Sequence, residues 1–265
     1  MSSLLSLVSA VPSGRPRPVL LDHRDYATAV IRQGAPVPWT DLAALTGHIQ
    51  QVHALLDPDT TWIDGGALYA AHLATHPEIV EQMGSRSRTG YPLRVLLADD
   101  AGVERVVRTA RTLAEACRRP LVVSVPSPAV WLGRAHALTG HSLPGIDEIA
   151  ADTASMYLAE WLGKLGALPV ALIVLDARTS PGDPVVEVPE RLGALSAVTN
   201  VAAHFEWSVA VRRDSGVEVE GVAVGVVPDG FWAGAADLPD GDALLATIPA
   251  SATPERVLDQ LAALG

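Results

Sequence analysis

The chain has 265 residues, of which 49% are hydrophobic and 18% charged, and a formal net charge of −11. This composition argues against extensive disorder and provides core material for one large α/β domain or two small ones. The acidic balance argues against a nucleic-acid surface, and the single cysteine, Cys117, rules out an intramolecular disulfide and any multi-cysteine metal site.

From the N-terminus, "MSSLLSLVSAVPSG" has a short apolar stretch with no basic residue before it, so it reads as a short helix or tail and not as a signal peptide. "PSGRPRP" (12–18) reads as a linker, which gives a tail and linker over 1–18 and a main domain over 19–265. Strand-like runs then follow at 26–33 ("YATAVIRQ"), 60–66, 93–100 ("LRVLLADD"), 121–128, 170–177, 207–213, 221–229 and 243–250. Most are continuous apolar runs, the pattern of strands covered on both faces. Helical stretches lie between most of them: 41–56 capped by Thr40, 102–119 after Asp99 and Asp100, 146–166 ending at Gly166, 189–205, and 253–264 capped by Thr253. Eight strands with interleaved helices predict a (β/α)8 barrel, with an open doubly wound sheet as the alternative. One joint is irregular. Between 207–213 and 221–229 the chain is too short for a crossover helix, and Asp214-Ser215-Gly216 reads as a hairpin turn.

"TGHSLPG" (139–145) approaches the Gly-x-Ser-x-Gly of a serine nucleophile, but Pro144 replaces the second glycine and no strand precedes Ser142. The stretch reads as a linker between helices, with a hydrolase using Ser142 as a minor alternative. The order strand, Ser127-Pro128-Ala129-Val130 turn, helix, long helix, then a strand ending Leu175-Asp176-Ala177 resembles the uroporphyrinogen decarboxylase and cobalamin-independent methionine synthase superfamily. "IRQG" (31–34) resembles part of the decarboxylase arginine signature, which implies that Arg32 holds a substrate carboxylate and that Asp64 faces the substrate. Val37-Pro38-Trp39 stands where the second arginine of that signature would fall, so a porphyrin substrate is not implied. The methionine synthases need a zinc site with two cysteines, and one cysteine does not supply it.

In a barrel the active site gathers at the carboxyl ends of the strands. Those ends offer Arg32, Asp64, Asp99, Asp100, Ser127, Asp176, Arg178, Arg212, Arg213 and Asp229. Asp99 and Asp100 are better read as helix caps. Asp176 and Asp64 are the candidate catalytic acids or bases, because buried carboxylates can exchange protons. Arg32 and Arg178 are candidate clamps for a ligand acid. Trp39, Ser127, His141 and Trp232 are further candidates to line the mouth, and His136 flanks the linker beside His141. His72 and His76 share a helix face, but Leu73 stands where a metalloprotease carries glutamate, so no metal is expected. The expectation is a cytoplasmic enzyme without cofactor, of lyase, decarboxylase or isomerase type, acting on a small carboxylated molecule. It has no nucleic-acid or membrane partner, and self-association as a homodimer is left open. An inactive barrel that binds a ligand or partner is the alternative.

Overall fold

The structure is a computed structural model, described over residues 3–166 and 168–264. The fold is mixed α/β, about 49% helix and 17% strand. Helix α1 (Leu4–Ser9) precedes β1 (Val19–Asp22), which leads into a short helix α2 (Arg24–Tyr26) and a π-helical turn over Ala27–Ile31. Helix α3 (Leu42–Leu56) leads to β2 (Thr61–Asp64), and four helices follow: α4 (Gly65–Thr75), α5 (Pro77–Met83), α6 (Tyr91–Ala98) and α7 (Asp100–Cys117). Then come β3 (Leu121–Pro126), α8 (Pro128–Leu138), a short β4 (Gly145–Ile146), α9 (Glu148–Leu165), β5 (Val170–Asp176) and a short β6 (Val185–Val186). The chain closes with α10 (Ser196–His204), β7 (Ser208–Arg213), β8 (Gly216–Val219), β9 (Val224–Val227), β10 (Ala243–Thr247) and α11 (Pro254–Ala263).

One sheet has the order β2-β3-β5-β7-β8, parallel except for the antiparallel β7–β8 pair, and a second, parallel sheet has the order β1-β10-β9. Strands β4 and β6 pair separately. No hydrogen-bonded ladder joins β1 to β2 or β8 to β9 among the described residues, so the two sheets remain distinct. They nevertheless face one interior. Leu20, Trp62, Val122, Leu172, Val174, Ala210, Ala243 and Leu245 form a single buried cluster, and Val217, Val219 and Val224 pack against it. Helices cover the outer faces, which explains the unbroken apolar runs: every residue of β3 is buried.

Helix α1 is the short-helix reading of the N-terminal stretch, and it packs inward. Its Leu4 and Leu7 are buried in the same interior cluster, and the Leu4 N–H donates to the Ser208 hydroxyl at the start of β7 (3.2 Å). Burying two leucines contributes about 1.5–3 kcal/mol each, enough to hold a six-residue helix that would not persist alone.

Two strand expectations fall on helices. Residues 26–31 of this run are helical, because the preceding "VLLD" supplies the strand and the Thr28 hydroxyl bonds back to the Arg24 carbonyl at 2.9 Å. Residues 93–98 belong to α6, where buried Leu93, Leu96 and Leu97 recur at helical spacing behind Pro92 in the first turn. Asp99 therefore caps α7, accepting from the Gly102 N–H, and does not end a strand. The Asp214–Ser215 turn joins β7 to β8 as a hairpin, with Gly216 at φ +139°, where a side chain would be strained.

Candidate active site

Strands β1, β2, β5, β7 and β10 end in Asp22, Asp64, Asp176, Arg212–Arg213 and Thr247, and register sets these ends side by side: Asp22 opposite Thr247, and Asp176 opposite Arg212. Two strands end in the same Asp-x-Arg pattern. In both, the arginine folds back on its own aspartate as a two-pronged fork. Arg24 Nε and Nη2 donate to Asp22 Oδ1 and Oδ2 at 2.8 and 2.9 Å, and Arg178 does the same to Asp176 at 2.8 and 2.6 Å.

The forks are tied into the surrounding floor. Arg212 Nη1 donates to Asp22 Oδ2 at 2.8 Å, and its Nη2 to the Thr247 hydroxyl at 2.6 Å. Arg24 Nη1 reaches across to Asp64 Oδ2, while Asp64 Oδ1 accepts the Ala67 N–H at 2.9 Å and caps α4. Burial by itself would raise the Asp22 carboxyl, but Arg24 and Arg212 outweigh it and hold the group well below the usual carboxylate range. The same contest ends the same way at Asp176, where Arg178 dominates and Arg212 adds to it. Arg24 and Arg178 are held as cations by these partners, Arg24 despite its burial.

Above this floor opens a cavity of about 810 Å³, within the range that encloses a small organic ligand. Arg24, Asp64, Ser124 and Asp176 stand at its polar end. The walls are apolar: Ala67, Ala70, Leu73 and Ala74 from α4, Trp131, Ala135 and Leu138 from α8, with Val80 and Leu96 behind. Arg134 lies in the α8 wall and is forked to Asp183 at 3.1 and 2.8 Å. Tyr69, Trp131 and Trp161 stack edge to face behind the wall, and Trp161 Nε1 donates to the Tyr69 hydroxyl at 2.8 Å. The sequence "IDGG" makes the close approach of α4 possible. A Cβ on Gly65 would lie 2.7 Å from Val125 Cγ1, and one on Gly66 3.2 Å from Pro126.

Two further groups lie beneath or beside the floor. His23, between Asp22 and Arg24, is buried with neither ring nitrogen hydrogen-bonded, and burial lowers its pKa to about 4. Glu190 accepts the Ala129 N–H at the start of α8 (3.0 Å), its other oxygen and the Ser127 hydroxyl have no partner, and burial pushes its carboxyl up. Glu190 and Arg213 line a second cavity of about 540 Å³.

Of the residues singled out in the sequence, Asp64 and Asp176 meet at the main cavity, and Arg178 backs Asp176. Arg32 does not reach it: its Nε donates to the Ala35 and Pro36 carbonyls on an exposed loop, because the helical turn at 27–31 displaces it from any strand end. Trp39 packs half-buried against the outer core, and Trp232 is buried in the cluster around β1, β9 and β10. Ser127 is wholly buried beside Glu190. His141 and Ser142 lie on an exposed loop after α8, a helix and not the strand that a nucleophile turn requires. His136 bonds to the Thr89 carbonyl and His141 to the Thr139 hydroxyl, so neither activates Ser142. His72 is buried and bonded to Asp99 at 2.7 Å, a structural pair. Asp22 and Arg24 escaped the sequence reading, although the repeated Asp-x-Arg after an apolar run was the signal that could have found them. Arg212 was noted at a strand end, but its bridging role needs the fold.

Among the described residues, no group of three or more His, Cys, Asp or Glu side chains is arranged to hold a metal ion, and no helix is long and apolar enough to cross a membrane. No protein-family model, curated protein or solved structure matches the chain.

Proposed function

We propose that this chain is a small-molecule enzyme on a (β/α)8-type barrel, irregular at the β7–β8 hairpin, which performs acid–base chemistry on a carboxylated organic substrate. The reaction is of lyase, decarboxylase or isomerase type, in keeping with the resemblance to the uroporphyrinogen decarboxylase and methionine synthase superfamily and without that superfamily's zinc–thiolate chemistry. The barrel reading is supported by the single interior cluster shared by the eight strands of the two larger sheets, and by the charged groups at strand carboxyl ends. The observation that carries the functional reading is the floor itself: Asp64, with Arg24 and Asp176 each held in an Asp-x-Arg fork, opens on an apolar-walled cavity.

The geometry supports the following roles. Each fork leaves N–H groups of its arginine unused: a guanidinium has five, Arg178 spends two on the Asp176 side chain, and Arg24 spends three on Asp22 and Asp64. A ligand carboxylate takes the free donors of Arg24, the fork arginine that lines the cavity. With the acid group held there, Asp176, which lines the same cavity, takes a proton from the carbon beside it. Asp64, fixed by Arg24 and the Ala67 N–H, serves the opposite face of the substrate.

The test begins with a thermal-shift screen of organic acids. For a binding acid, Asp176→Asn should keep the fold and lower turnover by ~10²–10⁴-fold, the usual contribution of general acid–base catalysis. Wild-type turnover in the folded variant would remove Asp176 from the mechanism. A binding protein without turnover is the second reading, favoured by the arginine partner that each floor carboxylate already has. Solvent deuterium exchange into the bound acid separates the two: an enzyme exchanges the proton beside the carboxylate, a binder does not.

A further inference from the structure

The cavity also restricts which acid it can take. Only Arg24 and Arg134 bring positive charge to its lining: Arg24, paired with Asp22 and Asp64, keeps two N–H groups for one carboxylate, and Arg134 is forked to Asp183. Asp64 and Asp176 face the same space. A second or third carboxylate on the ligand would meet these aspartates with no free cation to offset the repulsion. The rest of the wall offers carbon. Ala67, Ala70 and Ala74 recur along one face of α4, opposite Trp131, Ala135 and Leu138 of α8, and the space between them leads away from the floor.

Resting on the reading of the floor given above, we infer that the natural ligand is a predominantly apolar molecule with a single carboxylate. The acid sits at Arg24 and Ser124, and the apolar body lies between the alanine face of α4 and the aromatic face of α8. The alanines set the body's size. Ala70 and Ala74 are exposed toward this space and not packed in the core, so a larger side chain there fills the cavity without disturbing the fold.

The test uses the full chain and a homologous series of straight-chain fatty acids from six to ten carbons, with citrate as polyanion and octanol as neutral control, followed by tryptophan fluorescence or calorimetry. Affinity should rise about fourfold per added methylene, the worth of burying one CH₂, and citrate and octanol should bind at least tenfold more weakly than octanoate. Ala70→Leu and Ala74→Leu should weaken decanoate by tenfold or more, weaken hexanoate far less and keep the melting temperature of the parent chain. A flat series, or citrate binding as well as octanoate, overturns the inference while leaving a carboxylate-binding floor intact. Failure of every acid in the wider screen overturns the reading of the floor itself. Leucine variants that bind decanoate like the parent overturn the placement of the body.

Discussion

Two aspartates flank the same short strand and do opposite things. Asp59, just before β2, is fully buried and takes the Ser13 and Val19 N–H groups at 2.9 and 2.8 Å, with Arg15 alongside. It pins the segment that leads into β1. Asp64, at the other end of β2, is half-buried and faces an open cavity beside Arg24. The contrast extends to the whole strand bundle. Its amino end is stoppered by Leu4 and Leu7 of α1, while its carboxyl end holds three aspartates and three arginines in mutual pairs. An acid held mainly by backbone amides is locked, whereas an acid whose arginine partner borders an open cavity can exchange that partner for a ligand.

The sharpest way to break this contrast is to remove the hub of the charged end. Asp22→Asn leaves Arg212 and Arg24 without their shared carboxylate in a buried setting, and deleting one member of a buried pair costs about 3–5 kcal/mol. Urea denaturation should show a loss of that size. A loss under 1 kcal/mol would mean that Thr247 and Asp64 suffice for the two arginines.

The closed end gives the complementary test. Leu4→Ala should cost about 3 kcal/mol, the range for truncating a buried leucine, and leave the affinity of any acid that binds the cavity unchanged. Loss of affinity alongside stability would show that the two ends are coupled.

Acid pH probes the layer beneath the floor and gives the smallest effect. His23 titrates at about 4 in the folded protein, against 6.5 for an ordinary histidine. Its contribution to stability is therefore complete above pH 6.5 and is lost as pH falls from there toward 4, because the unfolded chain takes the proton first. Between pH 6.5 and 5 the loss from His23 is roughly 1–2 kcal/mol. His53, also lowered to about 4 by burial, adds to it in the same direction. The Asp22 contribution has the opposite dependence on charge but the same sign: it is intact above about pH 4 and fades only below. Thermal melts of the parent and of His23→Phe across pH 5–7 should show a shallower slope in the variant. Parallel slopes would place the proton uptake elsewhere.

The sequence by itself determined the interior and several of its punctuation marks. Unbroken apolar runs at 121–126 and 170–176 became parallel strands buried on both faces, because such runs have no polar face to give to water. Asp99 and the Asp214-Ser215-Gly216 turn were readable from local chemistry, since a helix cap and a hairpin are made within a few residues. Asp64 and Asp176 were readable as strand ends. Where local patterns conflict, the sequence misled. "YATAVI" carries β-branched residues yet turns as a helix, because Tyr26 and Ala27 bury against β1 and α3 in a cluster that only the folded chain assembles. Tertiary structure alone decided the charged floor. Asp22 and Arg212 are 190 residues apart, Arg24 and Asp64 are 40 apart, and no window of sequence weighs a carboxylate on one strand against a guanidinium on another. Register places Asp176 beside Arg212 and Asp22 beside Thr247, and the energy of a buried ion pair depends on distances that exist only after the sheets have formed.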